Sequence, residues 1–261
     1  MDRLLLVVLL AAGCQLALTQ TPSPTPEINP EKARADRLQA RLTDFPTLLR
    51  YREANAKLPP AKGENRVVFM GDSITDGWKL DQYFPGKPFI NRGIGGQSTQ
   101  HMLLRFRADV IDLKPKVVVI LAGTNDISST TEQAKLTTLE SNLASMVDLA
   151  QANGIRVVLA SVMPVSDHNT DKSGKPVIRT VQRSPAEINE VNSWIKRLCS
   201  SRGLVYLDYF TPMADDKGFL RAEIANDGLH PNAKGYAIMQ PLAEAAIKTA
   251  LKTKQKLPKL P

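Results

Sequence analysis

Residues 117–126 read VVVILAGTND, an uninterrupted apolar run followed by a glycine and three polar residues. Successive side chains of a strand point to opposite faces, so a strand that is apolar at every position has both faces buried. Such strands are typical of a parallel sheet that helices cover on both sides. The segment therefore predicts a central strand whose carboxyl end carries polar residues.

Apolar runs alternate with longer amphipathic segments along the rest of the chain. The other predicted strands are Val67–Met70, Phe89–Asn91, Val157–Ser161 and Val205–Asp208. Helices are predicted at 98–112, 132–152, 185–201 and 234–251, and an earlier helical segment at Glu31 to about Tyr51. This alternation, with right-handed crossovers, predicts an α/β fold: a three-layer α/β/α sandwich with a five-stranded parallel, doubly wound (flavodoxin-like) sheet.

The first residues resemble an export signal. The apolar run Leu4–Ala12 is too short to cross about 30 Å of hydrocarbon as a helix, and it matches the core of a secretory signal. Ala11-Ala12-Gly13-Cys14 resembles the lipobox of bacterial lipoproteins, although alanine stands at its first position where leucine is usual. We therefore expect an exported protein, periplasmic or secreted. Either lipidation of Cys14 tethers it to the cell envelope, or cleavage near Ala17–Thr19 releases it.

Composition and charge narrow the classes of function. With 43% hydrophobic and 23% charged residues, the chain is neither a wholly disordered nor a multi-span membrane protein. Five lysines between residues 248 and 261 supply most of the net charge of +8, so we expect a solvated tail and no nucleic-acid partner. The cysteines are Cys14 and Cys199, which predicts no internal disulfide and places Cys199 in the core.

Four short motifs lie at the ends of predicted strands or just before the last helix. They are Gly71-Asp72-Ser73-Ile74-Thr75, Asn91-Arg92-Gly93-Ile94-Gly95-Gly96-Gln97-Ser98, Gly123-Thr124-Asn125-Asp126 and Asp227-Gly228-Leu229-His230-Pro231. Ligands of parallel sheets bind outside the carboxyl ends of the strands, so these motifs can meet at one edge. Taken alone, Ser73 is more simply a helix N-cap, and the glycine block lacks the last glycine of a dinucleotide fingerprint.

His230 is the histidine best placed for chemistry. Of the three histidines, His101 lies in a predicted helix and His168 in a polar loop. His230 alone has a carboxylate, Asp227, three residues upstream in a turn flanked by glycine and proline. Asp227 can hold one ring nitrogen while the other faces outward, and a serine hydroxyl needs such a base to become nucleophilic.

Together the four motifs resemble the four blocks of the SGNH (GDSL-type) hydrolases, over roughly residues 65–250. Arg183-Ser184-Pro185 and Asp208-Tyr209 are similar to the lysophospholipase-like or platelet-activating-factor-acetylhydrolase-like bacterial members. The chain lacks GxSxG, HExxH and Walker A motifs and a Cys/His cluster, which argues against α/β-hydrolase, metalloprotease, nucleotide and zinc sites.

The resemblance also implies the roles of particular residues. Ser73 would be the nucleophile, His230 the base and Asp227 the acid that orients it. The oxyanion hole would consist of the backbone N–H groups of Ser73 and Gly96 and the side-chain amide of Asn125. The resemblance implies neither a metal ion nor an organic cofactor.

The expected function is hydrolysis of carboxylic esters by a Ser-His-Asp triad through an acyl-enzyme, with a small-molecule or glycan ester as substrate. Short acyl groups such as O-acetyl on carbohydrate are favoured. The alternatives are lysophospholipase or long-chain esterase activity and acyl transfer, and a non-catalytic glycan-binding module is less favoured. The oligomeric state is not readable from the sequence.

Substrate-binding residues stay open at this stage. Trp78, Tyr83 and Phe84 either wall a subsite or pack a helix. Arg179 and Arg183, in the long polar connection 165–184, are expected on the solvated surface in preference to contact with an anionic or polyol substrate.

The chain is expected to divide into five segments. These are a signal peptide or lipoprotein signal at 1–19, a Pro-rich tether at 20–30, a helical segment at 31–60, an SGNH hydrolase domain at 61–252 and a basic tail at 253–261.

Overall fold

The structure is a computed structural model, and it describes residues 47–128, 135–171 and 173–253. Five strands form one sheet in the order β2-β1-β3-β4-β5, and every neighbouring pair is parallel. The strands are β1 (Val67–Gly71), β2 (Phe89–Gly93), β3 (Val117–Leu121), β4 (Arg156–Ala160) and β5 (Val205–Leu207). The predicted five-stranded parallel, doubly wound sheet is confirmed.

Helices connect the strands and cover both faces of the sheet. They are α1 (Arg52–Ala56), α2 (Ser73–Asp76), α3 (Leu80–Tyr83), α4 (Thr99–Asp109), α5 (Thr124–Ile127), α6 (Lys135–Ala152), α7 (Pro185–Arg202), α8 (Phe210–Met213) and α9 (Ala233–Lys252). Short 3-10 turns lie at Ile111–Leu113 and Ala222–Ile224. In the part of the chain that the structure describes, no helix is both long and apolar enough to cross a membrane.

The helix predicted at 98–112 ends earlier than expected. Val110 leaves the helical conformation after Asp109, and the chain continues as a 3-10 turn that closes at Lys114. Val110, with a φ of -128°, ends the helix, and Lys114, with a φ of 50° in the left-handed region, ends the 3-10 turn.

The helix predicted from Glu31 does not continue to Tyr51. Thr47 has a φ of 61°, which an α-helix of L-residues does not accommodate, and residues 48–51 form turns before α1. The rest of that prediction, together with the predicted signal, the tether and residues 254–261 of the tail, lies outside the described residues.

Each strand contributes side chains to two cores, one on either face of the sheet. One core, against α4, α6 and α7, includes Val68, Met70, Val118, Ile120, Val157, Leu159, Phe106, Leu143 and Ile195. The other, against α9 and the short helices, includes Val67, Phe69, Val117, Val119, Val158, Trp78, Tyr236 and Met239. Cys199 is buried in the first core, and burial raises the pKa of its thiol to about 12, as befits a small core side chain.

A buried arginine links α4 to the carboxyl end of β1 and to the loop after β2. Arg105 of α4 donates to the carbonyl oxygen of Gly71 at 3.1 Å, to Oε1 of Gln97 at 2.6 Å and to Oδ2 of Asp109 at 2.9 Å. Its side chain and that of Asp109 are 0% and 2% exposed, so each ion needs the other to offset the loss of its hydration.

Replacing Arg105 with methionine should lower the free energy of unfolding by about 3–5 kcal/mol, because it leaves the Asp109 carboxylate buried without its cation. Chemical denaturation measures the loss. Arg107→Met, on the same helix with a side chain 67% exposed, is the matched control and should change little. Equal small effects of the two substitutions would contradict a structural role for the buried pair.

Asp72 is a second buried charge at this edge. It caps α2, since its side chain accepts a hydrogen bond from the N–H of Ile74 at 2.9 Å. Burial raises the pKa of Asp72 to about 6, although the Ile74 hydrogen bond and the nearby His230 lower it in part. Between about pH 4 and pH 6 the folded protein therefore retains a proton that the unfolded chain has released.

This carboxyl should make stability fall as the pH rises through that window. Asp72→Asn keeps an oxygen for the Ile74 N–H and removes the titration, so its advantage in Tm over the native chain should grow between pH 4 and pH 6. Above pH 6 the difference in Tm should stay constant, at a value that corresponds to at most about 3 kcal/mol in the free energy of unfolding. Asp112→Asn, at a side chain 60% exposed, is the control. A Tm difference that does not change with pH would refute the assignment.

Candidate active site

Ser73 and His230 meet at the carboxyl edge of the sheet. Ser73 is the first residue of α2, directly after β1, and His230 precedes α9. The Oγ of Ser73 lies 2.9 Å from Nε2 of His230, and Nδ1 of His230 lies 2.7 Å from Oδ2 of Asp227. With Nδ1–H donating to the carboxylate, Nε2 is left to accept the proton of the hydroxyl. The structure thus brings together the three side chains that the sequence singled out.

The turn 227–230 is built to hold the carboxylate and the ring. Oδ1 of Asp227 accepts the backbone N–H groups of Leu229 at 3.1 Å and His230 at 2.8 Å. Partial burial raises the pKa of Asp227, but the hydrogen bonds and charge of His230 outweigh it and bring the pKa below its ordinary value. The group is therefore ionised at neutral pH, as an acceptor for the imidazole must be.

Glycine is required in the middle of this turn. Gly228 has a φ of 72°, and a Cβ there would collide with the carbonyl oxygen of Ser166. The N–H of Ser166 in turn donates to the carbonyl oxygen of Gly228 at 2.9 Å. The turn is thus fastened to the start of the connection between β4 and α7.

The glycine loop after β2 presents a backbone N–H group at the site. The N–H of Gly95 is bound to Oδ2 of Asp76 at 3.2 Å, and Arg50 grips the same carboxylate with two hydrogen bonds of 2.9 and 2.6 Å. Gly96 follows with a φ of 78°, and within the described ranges its N–H makes no hydrogen bond. Of these two glycines, Gly96 is therefore the one whose N–H stays available to a ligand.

The side-chain amide of Asn125, in the short helix α5 that follows β3, makes hydrogen bonds through both its nitrogen and its oxygen. Its Nδ2 donates to the carbonyl oxygen of Gln97 at 3.0 Å, which uses one of its two N–H groups. Its Oδ1 accepts from Nη2 of Arg183 at 3.3 Å. An arginine can only donate, so this contact places the oxygen towards Arg183 and leaves the second N–H of Nδ2 for a ligand.

Arg179 and Arg183 are part of the site, and the expectation that they are solvated surface is wrong. Arg179 donates to Asp227 twice, from Nε to the carbonyl oxygen at 2.9 Å and from Nη2 to Oδ2 at 2.8 Å. Arg183 is 7% exposed and also donates from Nε to Oγ1 of Thr124 at 3.1 Å. The signal in the sequence was their position in a long connection that leaves the sheet at its carboxyl edge.

Asp167 fixes the backbone of the same connection through three hydrogen bonds. Oδ1 of Asp167 accepts the backbone N–H groups of Arg179 at 2.6 Å and Thr180 at 3.0 Å, and its Oδ2 accepts the Thr180 hydroxyl at 2.6 Å. The side chains of the connection are therefore held in place at the site.

The aromatic residues after the nucleophile candidate pack a helix and do not wall a subsite. Trp78 and Phe84 are each 2% exposed and belong to the core under α9. Tyr83 is partly buried and donates its hydroxyl to the carbonyl oxygen of Ala233 at 3.3 Å. Of the two interpretations of these residues, packing is correct.

The remaining histidines have other partners. His101 accepts the backbone N–H of Ser98 at 3.1 Å in a capping box at the start of α4, and His168 lies 3.4 Å from Asp215. Over residues 47–128, 135–171 and 173–253, no group of three or more ligating side chains could hold a metal ion. The absence of metal and cofactor stays a prediction.

The chain matches a family model described as GDSL-like Lipase/Acylhydrolase over residues 69–238. A crystal structure of a GDSL-like lipase from Bacteroides thetaiotaomicron is 38% identical, with a TM-score of 0.69 over 78% of this chain and 98% of that one. The matched span includes Ser73, Asn125, Asp227 and His230.

Two curated relatives are similar over shorter stretches. The uncharacterized lipoprotein YqeF of Bacillus subtilis is 32% identical over 127 residues, 41% of this chain and 52% of that protein. Platelet-activating factor acetylhydrolase IB subunit alpha1 of Rattus norvegicus is 35% identical over 112 residues, 40% of this chain and 46% of that one. The chain thus matches about half the length of each. Fold, motifs and family model agree, and the chain belongs to the GDSL-like lipase/acylhydrolase family.

Proposed function

We propose that the protein is a serine esterase in which Ser73 attacks the ester carbonyl. The observation that carries the proposal is the continuous chain of hydrogen bonds from Ser73 Oγ through His230 to Asp227, with distances of 2.9 and 2.7 Å. A serine hydroxyl is a weak nucleophile until an adjacent base takes its proton, and His230 Nε2 is within reach. Asp227 fixes the tautomer and stabilises the imidazolium that forms.

The reaction then proceeds in two halves. Ser73 Oγ bonds to the carbonyl carbon as its proton passes to His230 Nε2, and the tetrahedral intermediate collapses when that proton is given to the leaving alcohol. Water next attacks the acyl-enzyme, with His230 again as base, and releases the acid and free Ser73. Three donors would stabilise the oxyanion: the N–H groups of Ser73 and Gly96 and the second N–H of Asn125 Nδ2.

Short acyl groups fit the site best. The side chain of His230 is 41% exposed, so the base is open to solvent. Among the described residues, an apolar cleft lined by Phe89, Ile247 and Leu251 lies at the opposite, amino-terminal edge of the sheet, out of reach of Ser73. A relative named as an acetylhydrolase also supports a small acyl group. We therefore favour O-acetyl esters of carbohydrate over the long-chain esters of a lysophospholipase, and acyl transfer would use the same residues.

The place of action proposed here is the cell envelope. The pattern at residues 4–14 is that of an exported protein, with Cys14 as the candidate for lipidation. The naming of a Bacillus subtilis relative as a lipoprotein supports this. Mass spectrometry of the mature protein, expressed from residue 1 onward in a bacterial host, distinguishes a lipidated Cys14 from cleavage after it.

The test of the esterase is a series of p-nitrophenyl esters from acetate to palmitate. The native protein should hydrolyse acetate or butyrate fastest. Ser73→Ala should remain folded and lose essentially all turnover, because it removes the hydroxyl that His230 activates. Ser201→Ala, an exposed serine on α7, is the matched control. Activity that survives Ser73→Ala would rule out the mechanism, and a best rate at palmitate would reverse the choice of acyl group.

Removing the side-chain amide of Asn125 should lower kcat and leave the affinity for the substrate nearly unchanged. Asn125→Ala is expected to lower kcat by about 10²–10³ with little change in KM, since the amide contributes most when charge develops on the oxygen. Asn153→Ala, at an exposed asparagine whose side chain bonds within α6, serves as the control. A change confined to KM would show that Asn125 binds substrate without stabilising the oxyanion.

A further inference from the structure

Arg179 and Arg183 each have N–H groups at the site that the protein does not use. In both Arg179 and Arg183, Nε and Nη2 donate to residues of the site. Among the described residues neither Nη1 has a hydrogen-bond acceptor, and neither is among the buried polar atoms that lack a partner. Both Nη1 atoms are therefore reached by solvent at the mouth of the site.

The two guanidinium groups are close enough to repel each other. Burial lowers the pKa of Arg183, and the charge of Arg179 lowers it further, ahead of the compensating effects of Asp72 and Asp227. Asp227 and Asp72 offset part of this repulsion. Asp227 accepts from both Arg179 and His230, and Asp72, with a pKa of about 6, is largely ionised at neutral pH. Among the described residues, Asp167 bonds to backbone N–H groups and a hydroxyl of the connection and to neither guanidinium. The carboxylates of Asp72 and Asp227 already accept hydrogen bonds from the protein, so the Nη1 atoms of the two arginines stay open to an anion beside the reacting atoms.

Positioning alone does not require this arrangement. Orienting the Asn125 oxygen or the Asp227 carboxylate needs a donor, which a neutral side chain can supply. A guanidinium that is only 7% exposed is costly in desolvation, and an anion bound by the two Nη1 atoms would offset the repulsion that Asp72 and Asp227 leave uncompensated. Charge-assisted hydrogen bonds from a guanidinium to a carboxylate are strong, and each Nη1 carries two N–H groups. Arg183 lies two residues before α7, whose amino end adds partial positive charge.

We propose that the Nη1 atoms of Arg179 and Arg183 form a subsite for a carboxylate carried by the ester substrate. The proposal rests on the proposed esterase function and specifies its substrate class as anionic esters. Arg183 contacts the oxyanion amide and Arg179 contacts Asp227, so the carboxylate lies within a few atoms of the scissile bond. It belongs either to the acyl group or to the alcohol, for example a sugar acid.

The experiment compares matched anionic and neutral esters. The acyl arm uses p-nitrophenyl hemisuccinate against p-nitrophenyl butyrate, and the alcohol arm uses an acetylated methyl galacturonoside against its methyl ester. The quantity measured is the ratio of kcat/KM for the anionic ester to that for the neutral one. Any general damage to the catalytic machinery affects both esters of a pair and cancels in this ratio.

In the native protein the ratio of kcat/KM should be about ten in one of the two arms. The arm in which it is raised identifies the side of the ester that carries the charge. Arg183→Gln and Arg179→Gln should each reduce that ratio by about tenfold, and Arg183→Lys should restore part of it. Arg202→Gln, which removes an exposed cation paired with Asp148, should leave the ratio unchanged.

Two further measurements use the native protein only, in case the variants fail to fold. Raising NaCl from 20 to 500 mM should lower kcat/KM for the anionic ester and leave the neutral ester unaffected. Succinate should compete with the neutral ester more strongly than succinamide does.

The outcomes separate the two proposals. If neither ester of a pair is hydrolysed in a Ser73-dependent manner, the esterase function itself fails. If the neutral ester is hydrolysed but the native ratio is one or less in both arms, the carboxylate subsite is overturned and the esterase stands. An equal loss on both esters in the arginine variants also overturns it and leaves these arginines as positioning residues.

Discussion

Gly71, Gly93 and Leu121 lie side by side at the ends of three parallel strands, because β1 pairs in register with both β2 and β3. Parallel strands are joined only by long crossovers, so the loops that follow them are distant in sequence and adjacent in space. The serine, the glycine loop and the asparagine each follow one of these strands. Their proximity depends on this register, and a slip of one strand would separate them.

A chain of hydrogen bonds ties these loops together below and beside the site. Arg105 binds the Gln97 side chain at 2.6 Å, the Gln97 carbonyl oxygen accepts from Asn125 at 3.0 Å, and Asn125 accepts from Arg183 at 3.3 Å. The chain joins α4, the loop after β2, the loop after β3 and the connection before α7. Because the first link is buried, it holds its geometry without competition from water. The oxyanion donors proposed here are therefore preorganised by contacts made far from the substrate.

The connection 165–184 contributes two arginines, Arg179 and Arg183, to the site. Arg179 and His230 both donate to Oδ2 of Asp227, so the orientation of the imidazole depends on this connection as well as on its own turn. Ser166 and Gly228 fasten the two segments to each other. A feature that reads as a polar loop in the sequence thus supplies the electrostatic character of the site, and with it the proposed preference for anionic esters.

The order of elements, the parallel sheet and the family follow from the sequence, because hydrophobic periodicity and motifs at strand ends are local properties. The same locality accounts for Ser73, Asn125 and the Asp227–His230 turn. The position of the arginines is a different matter. Whether an arginine in a polar loop is solvated or buried depends on which side chains the folded chain brings to it, here Thr124, Asn125 and Asp227. That is a long-range contact with no local signature, so only the tertiary structure decided it.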